Sequence, residues 1–403
     1  MTAGRVMIIA GEASGDLHGA NLIKALMKKV PDIEYYGIGG TRLKRAGVSI
    51  LINCNQLSVV GITEVFIKLT KIYQAITTIK NHLRKRRPDL LILIDFPEFN
   101  LHLAKTAKRL HIPVLFYISP QIWAWRSGRV KKIKRRVDHM AVILPFEEAF
   151  YRKQNIPVSF VGHPLLDELA AKGSLDNFQR HPKQNLDRGV ISLFPGSRTK
   201  EVSIHLPIML KSASLLHQKL PHLRFMISCA PSIQTSQLEH ILNDHPQRDY
   251  FEIVSEEAAT LFKKSRLALA KSGTVTLEAA IYTTPCIIIY KVSPLSYYLG
   301  RHLIRVKYIG LANLILEREI FPELIQTKAE PTLIAQTAYH MLTATHGFEN
   351  LQTELIKVRQ KLGQPGASNR VADLALLLMG DKRSGALRAR QSIQQPLNSK
   401  ITS

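Results

Sequence analysis

An α/β protein with two doubly wound domains in tandem is the fold class that the 403-residue sequence predicts. Three observations predict it. Short β-branched runs alternate with longer segments of helical spacing, a pattern that builds parallel sheets covered by helices on both faces. The alternation stops in a polar stretch over 172–189 and then restarts. Glycine-containing turns follow several of the runs, which is where sheets of this kind take ligands.

In chain order, strands are predicted near 6–10, 90–94, 113–117 and 139–143. Between the first two lies a helix whose Ala20, Ile23, Met27 and Val30 recur three or four residues apart. The segment 172–189, rich in Gly, Pro, Asn and Asp, reads as a connection and sets a boundary between 165 and 188. Strands then recur near 190–194, 224–228, 251–254, 267–270 and 286–290. From 330 to 379 the pattern is wholly helical, with Pro331 suited to a first turn. Beyond Gly380 the chain is polar and basic, and disorder is expected there. The domains are accordingly 1–165, 166–345, a helical segment 346–380 and a tail 381–403.

Composition narrows the function classes. At 45% hydrophobic residues the chain can bury two ordinary cores. Its three cysteines, Cys54, Cys229 and Cys286, form no C-x-x-C spacing, so neither a disulfide framework nor a zinc site is indicated, and a reducing cytoplasm fits. The apolar run 6–10 is too short for a signal-peptide core, so no export is implied. The longest apolar stretches fall far below the ~18 residues that cross a bilayer. The charge stands out: 55 Lys plus Arg against 31 Asp plus Glu give +24, a field that attracts nucleic acid, anionic lipid or phosphorylated substrates. Much of it sits in blocks at 80–87, 126–136 and 301–307, each of which alone reads as a solvated face.

In the second half, a strand runs into Pro195-Gly196-Ser197-Arg198, with Glu201 opening a helix. Free backbone amides at such a start suit a phosphate, and Arg198 can add a bidentate contact; the bland alternative is an ordinary strand-to-helix turn. Ala270-Lys271-Ser272-Gly273-Thr274 is more informative, because strand, glycine turn, helix and strand follow in full. Gly273 lets a diphosphate approach the amides of Ser272 to Thr274, while Glu278, one turn in, can accept bonds from ribose hydroxyls. A nucleotide is the natural guest.

The chain opens with Gly11-Glu12-Ala13-Ser14-Gly15-Asp16 after its first strand. G-x-G-x-x-G is missing, which disfavours NAD, but a sugar phosphate could be held by the amides of Ser14 and Gly15 and the carboxylates of Glu12 or Asp16. Asp95-Phe96-Pro97-Glu98-Phe99-Asn100 places a carboxylate at a strand end, suitable ground for a general base. Asp95 is the first choice and Glu98 the second, since Glu98 also fits a helix-capping role. Ser119-Pro120-Gln121-Ile122-Trp123-Ala124-Trp125-Arg126 holds both tryptophans, suited to a sugar face or a membrane interface, or else pinned to the core by its aromatics. The helical stretch 62–79 has a core stripe at Ile62, Val65, Phe66, Leu69, Ile72, Tyr73, Ile76 and Ile79. Val59, Val60 and Ile67 widen it, and with Lys68 and Lys71 alongside, a membrane-docking or acyl-binding surface is the functional reading; a well-buried helix is the plain one.

Taken together, these motifs, with Gly162-His163-Pro164 and Leu311-Ala312-Asn313-Leu314, resemble the lipid-A-disaccharide synthases in order and spacing over roughly residues 5 to 380. The resemblance implies a GT-B fold of two Rossmann-like domains facing across a cleft, the first binding acceptor and membrane, the second the UDP-sugar, with C-terminal helices returning to the first. It implies an inverting transfer from UDP-2,3-diacylglucosamine to 2,3-diacylglucosamine 1-phosphate, giving a β(1→6) disaccharide 1-phosphate and UDP. Asp95 would take the acceptor proton, and Arg198, Gly196, Ser197, the 272–274 turn and the family-matched Asn313 would hold the departing UDP. Glu12, Ser14, Gly15, Asp16, Gln121 and Trp123 would line the acceptor site. No D-x-D pair occurs in the sequence, so metal-independent activity without a cofactor is expected. The resemblance further implies a cytoplasmic protein of a Gram-negative bacterium, peripheral on anionic lipid at the inner face of the inner membrane, and it allows a homodimer. The competing readings are another GT-B enzyme of UDP-amino sugars (a cell-wall N-acetylglucosaminyltransferase or a UDP-sugar epimerase), a basic nucleic-acid-binding protein, and an NAD-dependent oxidoreductase. Nucleic acid is not expected as a partner, because charge alone supports it.

Overall fold

Continuous apolar runs such as Leu90–Ile94 can be buried on both faces only in a parallel sheet covered by helices, and the structure builds two of these. It is a computed structural model and describes residues 4–57, 65–125, 127–171, 189–294, 297–298, 306–344 and 347–384. The chain divides into two units, Met1–Asp167 with Gln364–Ser403, and Glu168–Gly363.

The first unit carries seven parallel strands, β1 (Gly4–Ala10), β2 (Ile33–Gly39), β3 (Ser49–Asn53), β4 (Leu90–Ile94), β5 (Val114–Tyr117), β6 (His139–Val142) and β7 (Val158–Phe160). Their order is β3-β2-β1-β4-β5-β6-β7, so the chain reverses its direction of growth between β1 and β4. Side chains alternate between two cores, as the period of two demands: Met7, Ile9, Leu91 and Leu93 face one, Val6, Ile8, Leu90 and Ile92 the other. The second core is closed by helices Ala13–Lys29 and Ala367–Ser384, through Ala20, Ile23, Val371 and Ala375. Asp167 caps the latter helix by accepting from the amides of Gly366, Ala367 and Ser368.

Strands β2 and β3 carry no clear sequence signal. Gly37 and Gly39 interrupt β2, and at Gly37 (φ +152°) an added Cβ would lie 1.9 Å from the Ile8 carbonyl oxygen, so the sheet itself requires glycine there. β3 is an edge strand without a buried residue.

The second unit carries β8 (Val190–Phe194), β9 (Arg224–Ser228), β10 (Phe251–Val254), β11 (Leu267–Lys271), β12 (Cys286–Tyr290) and β13 (Glu323–Ile325), all parallel, in the order β10-β9-β8-β11-β12-β13. Helices Thr199–Lys219 and Pro331–Thr343 close one core over Ile191, Leu193, Leu267 and Ile287. The helical stretch expected over 330–379 is three helices, Pro331–Thr343, Gly347–Lys361 and Ala367–Ser384. It divides after Gly363, where Gly363 and Gly366 have positive φ, and only the last helix belongs to the first unit. That helix also runs on through 381–384 of the expected tail, while 385–403 and the connection 172–188 lie outside the described residues.

Val59, Val60 and Ile62 likewise lie outside the described residues, and Phe66, Ile67, Lys68 and Lys71 fall within the helix Val65–Arg86. Among the described side chains of its expected stripe, Tyr73 departs from it at 71% exposed. The buried face runs through Ala75, Ile79 and Leu83 with Ile72 and Ile76 beside it, and Tyr73 stands one position around the helix from that line. Among the described residues no helix is long and apolar enough to cross a membrane.

Candidate active site

The carboxyl ends of β1 and β4 meet at the point where the first sheet reverses, the position at which open α/β sheets form a ligand crevice. From β1 the chain passes through Gly11 into the helix Ala13–Lys29, whose first turn has no side-chain cap. Glu12 and Ser14 are exposed there, and Gly15 is buried beneath them. From β4 it passes into Asp95 and Phe96, both left-handed at φ +46°. At the end of neighbouring β5, the β-branched Ile118 has φ +63°. Each such residue costs about 1–3 kcal/mol, and strain of this kind gathers at functional sites.

Burial, then the negative charge of Glu12, pushes the Asp95 carboxyl up to about 6, against a lowering contribution from the Phe96 amide. Glu98, in the first turn of helix Pro97–Arg109, is exposed and ion-paired with Arg129. The two candidate carboxylates therefore differ in environment: Asp95 is the desolvated one.

Two expected acceptor-site residues, Asp16 and Trp123, hold the fold together locally. The Asp16 carboxylate accepts from the amides of Gly40 (2.6 Å), Arg42 (3.0 Å) and Leu43 (3.1 Å), capping the short helix Thr41–Arg45, which commits three of its four lone pairs to the backbone. The Trp123 indole N–H donates to Glu147 Oε1 at 3.0 Å, and its ring packs edge-on to Phe146. Glu147 is itself buried, bonded to the Leu144 amide, and burial pushes its carboxyl up to about 7 against the bonds from Trp123, Leu144, Ile143 and Ser119. Trp123 thus pins the loop. Gln121 is exposed; Arg126 lies outside the described residues.

The second sheet reverses between β8 and β11, and the two phosphate-suited turns leave those strands. At the first, Gly196 (φ +129°) is required because an added Cβ would meet the Glu201 Cβ at 2.7 Å. Glu201 accepts from the Ser197 amide at 3.1 Å, from Arg198 Nη1 at 3.5 Å and from Lys271 Nζ at 2.9 Å. Burial acts to raise the Glu201 carboxyl, but the bond and charge of Lys271, with Ser197 and Arg198, outweigh it and hold it below the usual range. Arg198 is 72% exposed and reaches outward. At the second turn, Ser272 Oγ donates to the Ile309 carbonyl at 3.3 Å, Thr274 is exposed, and Glu278 sits half-buried in helix Thr274–Ile281.

Asn313 is fully buried, with every hydrogen-bonding position used. Its Nδ2 donates to Phe321 O and Glu323 Oε1, both at 2.8 Å, and its Oδ1 accepts from the amides of Ile320 and Phe321, both at 2.9 Å. Glu323 in turn accepts from the Ile309 and Gly310 amides. Asn313 therefore shapes the loop that supports the 272–274 turn, a task different from the direct UDP contact expected of it.

Two residues that sequence reasoning passed over belong to the site. Lys271, the last residue of β11, joins the two turns through Glu201; its position directly before Ser-Gly-Thr was the available signal. His205 accepts from the Lys291 amide at Nε2 (3.0 Å), so its proton sits on Nδ1 and is donated to the Glu201 carbonyl at 2.8 Å. It thereby ties the end of β12 to the same helix.

Comparison with known proteins identifies the family and the fold. The family profile described as lipid-A-disaccharide synthetase matches residues 6–377. The lipid-A-disaccharide synthase of Geobacter metallireducens is 43% identical over 381 residues, covering 94% of this chain and 98% of that protein. That of Syntrophus aciditrophicus is 44% identical over 380 residues, covering 94% and 99%. Among solved structures, a UDP-N-acetylglucosamine 2-epimerase from Listeria monocytogenes, so described putatively, matches with a TM-score of 0.63 at 13% identity, covering 96% and 98%. Acinetobacter baumannii MurG matches with a TM-score of 0.57 at 14% identity, covering 93% and 99%. Likeness at such identity concerns the fold alone, which is GT-B. The sequence relatives carry the finer statement, and they do not favour a cell-wall transferase or an epimerase: the chain is a glycosyltransferase and belongs to the lipid-A-disaccharide synthase family.

Proposed function

We propose that the chain joins two acylated glucosamines, transferring diacylglucosamine from its UDP conjugate to the 6-hydroxyl of diacylglucosamine 1-phosphate with inversion at C1. Family membership supports the reaction. The mechanism rests on one observation, the partly buried Asp95 carboxylate held at the switch point of the first sheet beside exposed Glu12 and Ser14.

Asp95 accepts the 6-hydroxyl proton as that oxygen bonds to the donor C1 and the bond from C1 to the UDP oxygen breaks. A carboxylate whose affinity for protons is raised toward neutrality is a better base than an ordinary one and is still ionised at pH 7. The electron pair leaves on the diphosphate. Arg198 and Lys271 supply positive charge there, and the first-turn amides of helix Thr274–Ile281 supply oriented donors. Such groups suffice for a diphosphate leaving group without a bridging metal. Glu98 remains with Arg129, Asn313 shapes the donor loop, and Asp16 shapes the acceptor turn. Both substrates carry acyl chains, and the +24 charge fits a protein working peripherally at an anionic bilayer surface on the cytoplasmic side of the inner membrane.

The test is mass spectrometry of the products when the purified protein meets both diacylated substrates in detergent with EDTA. Disaccharide 1-phosphate plus UDP is the expected result. Product only after magnesium is restored would overturn the metal-free mechanism, and no product under either condition would overturn the reaction.

A further inference from the structure

The Asp95 turn adopts a conformation that its residues disfavour. Asp95 and Phe96 are consecutive left-handed residues at φ +46°, whereas L-residues other than glycine visit that region singly and seldom. Such a turn persists only where its surroundings over-determine it. Two features of the first unit do so. Asn100, in the first helical turn after Asp95, is fully buried, and its Nδ2 donates to the Ile94 carbonyl at 3.2 Å and to the Asp95 carbonyl at 2.6 Å. Gly11, at the end of β1, makes room for the Phe96 ring: an added Cβ would lie 2.5 Å from Phe96 Cδ1 and Cγ. Neither residue acts on the carboxylate itself. Both act on the backbone that carries it.

We infer that Asn100 is a positioning residue for the transfer, holding the carbonyls on either side of the Asp95 amide so that the Asp95 carboxylate stays aimed at the switch point, with Gly11 seating Phe96 against the same turn. The inference rests on Asp95 being the base. The chemistry of the side chain fits the task. Two carbonyl acceptors need a planar group with two hydrogens on one nitrogen, which asparagine has, whereas ionised aspartate has none, serine has one, and glutamine is a methylene too long. Without the clamp the turn relaxes toward a commoner region of backbone space and the carboxylate swings away. A displacement of 1 Å in such a group costs ~10²-fold in rate.

The experiment measures kcat, both KM values, the pH dependence of kcat/KM and the melting temperature for Asn100→Ala, Asn100→Asp, Gly11→Ala and Asp95→Asn. Asn100→Ala is expected to lower kcat ~10²-fold with both KM values held within about twofold. The acid limb, near 6 in the native enzyme, should move down as the carboxylate reaches solvent. Should Asn100→Ala not fold, Asn100→Asp, of the same shape, and Gly11→Ala, whose methyl group would overlap Phe96, carry the test: each is expected to lose kcat. A folded Asn100 variant with native kcat, or one with lower kcat and an unmoved acid limb, overturns the positioning role, as does Gly11→Ala with native kcat. An active Asp95→Asn overturns the base reading instead, so the two failures are distinguishable.

Discussion

Lys271 Nζ lies 2.9 Å from Glu201 Oε1, with the two side chains only 18% and 17% exposed, so the end of β11 is tied to the helix that follows β8. One ammonium thus stands between the two turns that we propose hold the diphosphate. Lys271→Met is expected to raise the donor KM by roughly 10- to 100-fold, the worth of a charge-assisted bond, with the acceptor KM unchanged. Steady-state kinetics with each substrate varied in turn would check it. Glu201→Gln should cost about 2 kcal/mol, between the values of exposed and fully buried pairs. Because the Glu201 carboxyl lies below its ordinary 4.5 in the fold, its contribution is full above that value and disappears as pH falls through the folded one. Native and variant denaturation midpoints should therefore converge in acid.

The Asp95 carboxyl has the opposite sign. Its value in the fold, about 6, exceeds the ordinary 3.8, so the folded state binds the proton more tightly, and stability falls as pH rises from the lower value through the higher. Ionised Asp95 then costs about 1–3 kcal/mol at neutral pH. Asp95→Asn should be more stable than the native protein at pH 7 and equal to it near pH 4, while losing ~10²- to 10⁴-fold in kcat and keeping its affinity for UDP. The native kcat/KM should fall about tenfold per unit below pH 6. Urea unfolding at the two pH values, with UDP titration calorimetry, separates the stability effect from the catalytic one.

That Asp95 stood at a strand end was legible because β4 is a run of five buried aliphatic residues, a signal carried by neighbours in the chain. β8 and β12, short runs dominated by apolar residues, were legible in the same local way. β2 was hidden by glycines whose need arises from contacts distant from any local pattern, Gly37 from the closeness of Ile8 in β1 and Gly39 from that of Leu43, and β3 by its half-exposed edge position. The site shows the same division. The glycine turns announce themselves locally, but the Glu201–Lys271 pair spans 70 residues and has no local trace. The tasks of Asp16 and Asn313 depend on backbone amides of other segments, so residue type alone suggested ligand contacts where the fold already engages three lone pairs of Asp16 and both of the Asn313 oxygen.

Asn313→Ala accordingly should act on stability before donor affinity. Removing the amide leaves the buried Phe321 N–H and C=O and the Ile320 N–H without their partner, at about 1–3 kcal/mol for each group left unsatisfied. A total loss of roughly 3 kcal/mol or more is expected from these terms, as a shift in denaturant midpoint. Saturating UDP should recover part of it, since binding to the folded state alone adds stability. A variant of native stability whose only defect is a raised donor KM would return Asn313 to direct contact with the ligand.

Gly273 offers the complementary case, a glycine that the backbone does not require. Its φ of +168° is extended and open to any residue, and an added Cβ would meet nothing nearer than the Lys271 carbonyl oxygen at 3.9 Å. Gly273→Ala should therefore leave the melting temperature unchanged or raise it by up to about 4 °C, because no strain and no overlap is introduced and the unfolded chain loses freedom. The methyl group would instead stand where a diphosphate approaches the first amides of helix Thr274–Ile281, which have no side-chain cap to occupy them. If those amides hold the diphosphate, UDP affinity falls tenfold or more, about 1.4 kcal/mol or greater, in a protein at least as stable as the native one. Unchanged affinity in the same variant would move the diphosphate off this turn and leave Arg198 and Lys271 as its holders. Equilibrium titration with UDP alone reads the difference without the acyl substrates, and so independently of any membrane effect.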